Sequence, residues 1–276
     1  MAEAFRKSGP KGDRERQNGS MYLPAHFTLT DQREIENLLE NIGAADLITR
    51  TAEGLTSTFL PLLYVPRITL NETLSTGDVM SADHTETSFF DGASLHGHVT
   101  RANHQWKATI DPEALVIVHS VDGYISPNSY PSKAQNAKTV PTWNYVTLNI
   151  HGKLVVHDDP KWTLDLVRRL TNHHETKHGI ERQQKPWSVD DAPREYIDTM
   201  LKGIVGIEIV IDRIEAKAKL SQNKTEADAL GAAGDLELGT ATEIALGQAI
   251  RATRTTENRS STKSDPAKEQ DRFSLL

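Results

Sequence analysis

Residues 124–145 concentrate side chains that could hold a flat, phosphorylated ligand. They include four of the chain's ten Tyr and Trp residues and three of its twelve prolines. Aromatic rings on a rigid, proline-rich loop can stack on a planar ring system, and Lys133, Ser126 and Thr142 can bind a phosphate group. The same composition fits a loop whose rings only close one end of a barrel, and the residues alone leave both interpretations open.

A second polar cluster, residues 96–106, contains Arg101 and Asn103. A guanidinium group can bind a phosphate through two parallel hydrogen bonds, and an Asn side chain can pair with a carbonyl and an amide edge together. Gly97 allows the backbone to approach a ligand closely. The alternative is a surface turn with a solvated arginine, and the cluster taken alone favours that alternative.

A third cluster places three lysines within residues 217–224, directly after an apolar run. Such a cluster is most often a solvated strand end. In the functional interpretation, Lys219, Ser221 and Gln222 form a polar lid over the same ligand.

Residues 174–178 have the H-E-x-x-H spacing of zinc proteases, with two histidine ligands one helical turn apart and a glutamate base. Gly179 follows at once and predicts that the helix ends there, where a cationic His178 suits the helix dipole. A zinc hydrolase is therefore a minor alternative. Metal binding by His96 and His98 is also disfavoured, because such pairs are more often hydrogen-bonded parts of the structure, and we predict no metal site.

Composition excludes several other kinds of site. The chain has no cysteine, which rules out disulfides, thiolate nucleophiles and cysteine-ligated metals. No dinucleotide-binding glycine motif, P-loop or nucleophile elbow occurs. A formal charge of −7 and the lack of a helix-turn-helix pattern argue against unaided DNA binding. The polar N-terminus, and the lack of a run of about 18 apolar residues, predict no signal peptide, no membrane helix and a cytoplasmic location.

Short apolar segments and a few helices must position these clusters. Residues 31–42 predict a helix with one apolar face and Asp31 as its cap. Pro61 predicts an edge or a bulge in its strand, and residues 67–92 predict a loop or loose hairpin. The other expected strands are at 45–49, 56–64, 114–119, 145–150 and 204–214, of which the strand at 145–150 continues through Gly152 into 153–157. Further helices are expected at 161–178 and 194–202. This order favours an antiparallel barrel with peripheral helices over alternating strand–helix units.

Seven short motifs occur in a recognisable order between about residue 21 and residue 240. They are Met21-Tyr22-x-Pro24-x-His26-Phe27, Leu60-Pro61-Leu62-Leu63, Gly97-His98-Val99-x-Arg101-Ala102-Asn103-x-Gln105-Trp106, Tyr124-Ile125-Ser126-Pro127, Tyr130-Pro131-Ser132-Lys133, Val140-Pro141-Thr142-Trp143-Asn144-Tyr145 and Lys219-Leu220-Ser221-Gln222-Asn223. In these motifs the chain resembles the PaiB-type family of FMN-binding negative transcriptional regulators. Asn128-Ser129 departs from the family pattern, which usually has an aromatic residue before Tyr130.

The resemblance implies a mainly β (α+β) fold, an antiparallel split β-barrel with peripheral helices, and a homodimer with flavin at the interface. It implies FMN as cofactor, with His98, Arg101 and Asn103 near the phosphate or ribityl chain. The residues that would border the flavin are Tyr124, Ser126, Lys133, Thr142, Trp143 and Asn144, with Lys219, Ser221 and Gln222 from the C-terminal strand region.

Three regions are expected: a disordered arm at 1–20, an FMN-binding split-barrel domain at 21–240, and a weakly helical to disordered tail at 241–276. The resemblance implies a flavin-dependent regulatory or sensor protein. The alternative is a flavin-dependent oxidoreductase acting on a small molecule, and no catalytic residue is assigned.

Overall fold

A computed structural model describes residues 21–67, Phe90 and residues 92–261, and these residues form a seven-stranded antiparallel sheet. The strands are β1 Ala44–Thr51, β2 Gly54–Pro61, β3 Leu63–Val65, β4 Ser94–Thr100, β5 Thr109–Ile125, β6 Thr142–His157 and β7 Ile204–Lys219. Their order across the sheet is β2-β1-β5-β6-β7-β4-β3. The helices around this sheet are α1 Gln32–Glu40, α2 Gln105–Ala108, α3 Lys133–Asn136, α4 Pro160–Arg182, α5 Arg194–Leu201, α6 Glu226–Leu236 and α7 Ala241–Ser261.

On each long strand, every second side chain is apolar and packs into one main core, which the curved sheet encloses. Val116 on β5, Ile150 on β6 and Ile209 on β7 are fully buried in it. The two ends of the sheet meet by side-chain packing where β2 reaches β4, since a Cβ atom at Gly97 would lie 3.2 Å from Leu60 Cδ1. The barrel is thus closed by packing at this seam, and the predicted mainly β, antiparallel split-barrel class with peripheral helices is confirmed.

The sequence analysis missed β4 and underestimated the length of β5 and β7. The predicted strand that runs from 145 through Gly152 to 157 is β6, which passes close to β7 at Gly152, where a Cβ atom would lie 2.2 Å from the Val210 carbonyl oxygen. The predicted surface turn at 96–106 was partly wrong, because residues 94–100 form β4 with Leu95 and Val99 in the core.

The helices differ from expectation mainly at their ends. Asp31 caps α1 by accepting hydrogen bonds from Arg33 N and Glu34 N. The prediction that a helix ends at Gly179 was wrong, because α4 continues to Arg182. Gly179 instead lets the following loop pack on the helix, since a Cβ atom there would lie 2.8 Å from the Gln184 carbonyl oxygen.

A second core joins the C-terminal helices to one end of the barrel. Leu246 and Ile250 of α7 are fully buried, in one cluster with Ile125 and Tyr130. The described part of the tail, which was expected to be weakly helical to disordered, is the helix α7, which packs on the barrel through Leu246 and Ile250. The predicted arm at 1–20, most of the predicted loop at 67–92, and residues 262–276 lie outside the described residues.

Residues 21–29, which we call the N-terminal edge segment, cover the part of β7 that β4 does not reach. Leu29 N donates to the Ala216 carbonyl oxygen at 3.0 Å, Thr28 pairs with Lys217, and Met21 N donates to Glu215 Oε2 at 3.0 Å. An uncovered strand edge would be open to pairing with another chain. Within residues 21–67 and 92–261, no helix combines the length and apolar character that crossing a bilayer requires.

Candidate functional site

Four strands turn one row of side chains each away from the barrel core, and we call this surface the outer face. The strand register aligns Ile48 of β1 with Leu115 of β5, and Leu115 with His151 of β6. The same register aligns Tyr145 of β6 with Lys219 of β7. The outer face consists of Ile48, Arg50, Glu113, Leu115, Tyr124, Trp143, Tyr145, His151, Arg213, Lys217 and Lys219.

Two aromatic rings stand at one end of the outer face. Tyr124 and Trp143 are cross-strand neighbours, their ring centroids lie 6.3 Å apart, and both side chains are half-exposed. Trp143 Nε1 donates to Asp122 Oδ1 at 2.9 Å, which fixes the indole ring. These rings offer a platform on which a planar ligand can stack.

Lys219 brings a positive charge to the edge of this platform. Its Nζ donates to Thr142 Oγ1 at 2.5 Å and to the Trp143 carbonyl oxygen at 2.6 Å. Because an ammonium group has three N–H donors, one remains for a ligand. Burial lowers the pKa of Lys219, and the nearby Lys217 and Lys224 lower it further.

Lys217 is a second cation at this end, and the sequence analysis omitted it and Tyr145 from the site. The residue is 8% exposed, and its Nζ donates to the Tyr22 carbonyl oxygen at 2.8 Å. The same Nζ lies 5.6 Å from the ring centroids of Tyr22 and Tyr145. The two-residue spacing of Lys217 and Lys219 in a strand could have indicated that both share one face.

Asn144, Ser221 and Gln222 lie on the other side of β6 and β7, or in the turn that ends β7. Asn144 is fully buried, and its Nδ2 donates to Ser221 Oγ at 2.8 Å. Gln222 bonds to the backbone of Leu220 and Ala218, and Ser221 has a left-handed backbone with φ of 64°. These described bonds shape the turn, and none of them forms the predicted lid.

The loop between β5 and β6 carries Ser126 and Lys133. Ser126 Oγ accepts a hydrogen bond from Asn128 N at 3.2 Å, and Lys133 Nζ donates to Asn128 Oδ1. Tyr130, in contrast, is buried in the second core. Tyr130 therefore closes the end of the barrel, while Tyr124 and Trp143 face outward.

His98, Arg101 and Asn103 lie at the far end of the sheet. His98 pairs with Gly206 near the start of β7, whereas Lys219 is its last residue. About 13 residues of β7 separate the two positions, or roughly 40 Å of extended strand. Within one chain the predicted site residues therefore form two separate groups rather than one pocket.

The described bonds of Arg101 and Asn103 are internal. The Arg101 guanidinium donates to both Asp158 carboxylate oxygens, at 2.6 and 3.0 Å, and to two backbone carbonyl oxygens. Asn103 donates to Thr58 Oγ1 and accepts from Gln105 N, both at 2.9 Å. These bonds connect β4 and the following turn to the neighbouring elements.

Next to this far end, a buried polar cluster lies between the sheet and α4. His96 Nε2 lies 2.9 Å from Ser94 Oγ and 3.4 Å from Glu208 Oε1, and Arg169 of α4 donates to His96 Nδ1 at 3.1 Å. An arginine can only donate, so His96 Nδ1 carries no proton in this arrangement. Burial lowers the pKa of both His96 and His98.

A cavity of about 570 Å³ opens on the outer face between the two ends. The cavity is lined by His151, Arg50 and Leu115 and by the carboxylates of Asp111, Glu113 and Asp212. His151 is oriented by Glu215, whose Oε2 lies 3.1 Å from His151 Nε2. The cavity falls within the size range of small-ligand sites, and no sequence motif marked it.

The H-E-x-x-H segment has no metal-binding geometry. Glu175 Oε2 accepts a hydrogen bond from Trp187 N at 2.9 Å. Across the described parts of the chain, no three His, Asp or Glu side chains are grouped so that they could hold a metal ion. The zinc hydrolase alternative therefore has no support here.

Comparison with known proteins gives a family and several relatives. The family model described as "Putative FMN-binding domain" matches residues 21–213. An uncharacterized protein of Emericella nidulans is 31% identical over 59% of this chain and 74% of its own length. The protease synthase and sporulation protein PAI 2 of Bacillus subtilis is 27% identical over 75% of this chain and 85% of its own length. Among solved structures, the flavocytochrome Anf3 from Azotobacter vinelandii matches 70% of this chain and 69% of its own at 12% identity, with a TM-score of 0.42.

Proposed function

Since this chain belongs to the FMN-binding domain family, we propose that it binds FMN on the outer face of its sheet as a flavin-dependent regulatory protein. The family match and the Bacillus subtilis relative confirm the resemblance to PaiB-type proteins that the motifs predicted. The observation that carries the proposal is the juxtaposition of two half-exposed rings and two lysines at one end of that face.

These residues suit the parts of FMN. Tyr124 and Trp143 offer stacking surfaces for the isoalloxazine ring, and Lys219, with Lys217 behind it, offers positive charge for an anionic group. When bound, flavin supplies reversible electron or hydride transfer, and the protein supplies binding, orientation and electrostatics. A cation near the pyrimidine end of the ring would stabilise the reduced anion and raise its reduction potential.

The positions of the predicted site residues support a homodimer. The group around Lys219 and the group around His98 occupy opposite ends of β7. If His98 serves the same flavin as Lys219, it has to come from another copy of the chain. We therefore propose a dimer that places the outer face at the subunit interface.

The regulatory role rests on the family, and we propose that it is exerted without direct contact to DNA. The formal charge of −7 disfavours the electrostatic attraction that supplies nonspecific DNA affinity. In a gel-shift assay at low salt, where that attraction is greatest, we expect no shift of promoter fragments. A salt-dependent shift would restore direct repression.

A flavin-dependent oxidoreductase is the second candidate, favoured by the cavity of about 570 Å³ on the same face. It provides room for a small substrate. Anaerobic mixing of the FMN-loaded protein with NADH or NADPH tests this directly. Bleaching of the flavin absorbance would support the enzyme, and unchanged absorbance with both nucleotides would count against a nicotinamide-dependent one.

The central test of the proposal is FMN titration of the wild-type chain and of Lys219 variants. We expect Lys219→Met to weaken FMN binding roughly 10- to 100-fold, since a hydrogen bond to a charged group contributes about 1.5–3 kcal/mol. Lys219→Arg keeps the charge and should lose less. Flavin fluorescence and visible absorbance measure both variants, and Lys153→Met on the same strand pair is the matched control.

Wild-type protein that does not respond to added FMN would refute the proposal. Equal FMN affinity of the wild type and Lys219→Met would show that the FMN site lies away from this end of the sheet.

A further inference from the structure

Helix α6 docks on the loop between β5 and β6 through three positions of one helical face. Asp228, Gly231 and Asp235 are spaced three and four residues apart, which places them on the same side of a helix. A Cβ atom at Gly231 would lie 2.4 Å from the Ser129 carbonyl oxygen, so this position has to be glycine for the loop to approach. At Gly231 the helix backbone therefore packs directly against the loop, at residues 129–132.

Two carboxylates flank that close contact. Asp228 accepts hydrogen bonds from Ser132 N at 3.0 Å and from Ser132 Oγ at 2.8 Å. Asp235 Oδ2 accepts one from Ser129 Oγ at 2.7 Å, in a more exposed position. Both serines therefore serve to anchor the loop.

Asp228 is the stronger of the two anchors. Its residue is 5% exposed. Burial alone would raise the pKa of the Asp228 carboxyl, but the Ser132 hydrogen bonds outweigh it and hold the pKa below its ordinary value. A buried carboxylate that bonds a backbone amide is costly to leave unpaired, and this makes the loop position specific.

The loop connects the two strands that carry the aromatic platform. Tyr124 precedes it at the end of β5, and Thr142 and Trp143 follow it at the start of β6. Ser126 and Lys133 lie within it. Helix α6 begins at Glu226, beyond the residues 21–213 that the family model matches.

We propose that Asp228 is a positioning residue for the flavin site: through Ser132 it holds the β5–β6 loop, and so couples the C-terminal helices to cofactor affinity. This inference rests on the proposed function. Asp228 is placed to act through the loop and not on the ligand itself, because its carboxylate is directed at the Ser132 backbone N–H and hydroxyl.

The test compares Asp228→Ala with Asp235→Ala in two measurements on the full chain. Hydrogen–deuterium exchange without FMN should show about tenfold faster exchange of the Ser132 amide and its neighbours in Asp228→Ala. FMN titration of the same variant should show about tenfold weaker binding, with an altered visible circular dichroism of the bound flavin at saturation. Asp235→Ala, which removes an exposed bond, should stay within about twofold of the wild type in affinity.

Two further variants guard against a general loss of structure. Asp228→Asn keeps an acceptor for the Ser132 amide and should recover the flavin spectrum, and Ser132→Ala should weaken binding without adding to the effect of Asp228→Ala. A loosened loop with unchanged FMN affinity would overturn the inference and leave the proposed function intact. Wild-type protein that binds no FMN would remove the proposed function and this inference together.

Discussion

Among single residues, Arg101 is where sequence and structure give different roles. Its guanidinium is engaged by Asp158 and by two backbone carbonyl groups. We expect Arg101→Ala to lower the melting temperature more than Asp158→Ala, because it also removes the two bonds to backbone carbonyl groups. The double variant should lower it no further than Arg101→Ala. The FMN dissociation constant should stay within about threefold in all three, because the Arg101 guanidinium is already held by Asp158 and by backbone carbonyl groups of its own chain.

Thermal melts and FMN titrations of the four proteins check this. A more than tenfold loss of FMN affinity in Arg101→Ala, with none in Asp158→Ala, would contradict this. It would show that Arg101 binds the FMN phosphate, from one subunit to the site of the other.

The His96 cluster predicts that acid destabilises the fold. Burial lowers the pKa of His96 and His98 below the ordinary value of 6.5, so the unfolded chain binds more protons than the folded one below that pH. This contribution to stability is fully present above pH 6.5 and is lost as the pH falls. The pKa of Glu208 is also held below its ordinary 4.5, by its hydrogen bond to His157 and the charge of His96 against the effect of burial, so its contribution is lost at still lower pH.

Denaturant unfolding between pH 8 and pH 5 measures this slope. The free energy of unfolding should fall toward pH 5 in the wild type and fall less in His96→Gln. His119→Gln changes an exposed histidine and should keep the wild-type slope. Identical slopes in all three proteins would contradict the assignment.

At the scale of elements, α7 is part of the fold and not a tail. Leu246 is fully buried against the strand β5, where a Cβ atom at Gly123 would lie 2.9 Å from Leu246 Cδ2. Leu246→Ala should cost about 2–5 kcal/mol of unfolding free energy, as is usual for a buried leucine. Leu238→Ala, at an 87% exposed position, should change it by less than about 0.5 kcal/mol. Chemical denaturation measures both, and equal effects would show that α7 does not pack as described.

The elements that were predicted well have one apolar face and a clear end. Helix α1 shows this, with Ile35 and Leu39 buried and Asp31 as its cap. Strand β4 was missed because its sequence, with Gly97 between two histidines, has few apolar residues. Its core-facing side is also buried by contact with Leu60 at the end of β2, which the sequence of β4 does not show. The extension of α4 past Gly179 was missed for a similar reason. The helix pattern does not show that Pro186, seven residues further along the chain, packs against Gly179.

The candidate site was predictable in its residue types but not in its arrangement. The structure brings the rings of Tyr124 and Trp143 and the ammonium group of Lys219 together, as the motifs suggested. Motif order, however, cannot show that His98 lies at the other end of β7, because that depends on strand length and pairing. Nor did any motif indicate that α6 holds the loop through Asp228.

For the whole molecule, the outer face predicts self-association. On the edge strand β2, Phe59 is 70% exposed and pairs with Asp46, on the same side of the sheet as Ile48 and Arg50, and Leu55 lines the cavity on that face. We expect light scattering to give twice the chain mass of 30.6 kDa, and Phe59→Glu to shift the protein toward the monomer, since it would place a charge in the interface core.

Ile180→Glu is the matched control, because Ile180 is 75% exposed on α4, away from the outer face. A monomeric wild type would refute the dimer. Dissociation by Ile180→Glu, with Phe59→Glu intact, would place the interface on the helical side instead.

The N-terminal edge segment also limits the order in which the polypeptide can fold during its synthesis on the ribosome. Met21 reaches its acceptor on Glu215 across 194 positions of chain, so the first described residues wait for the last strand to be synthesised. Such distant pairings slow folding, and β6 and β4 keep unpaired edges until β7, which lies between them, has been synthesised. A nascent chain arrested before residue 204 should therefore be more sensitive to protease than one arrested after β7 has left the exit tunnel.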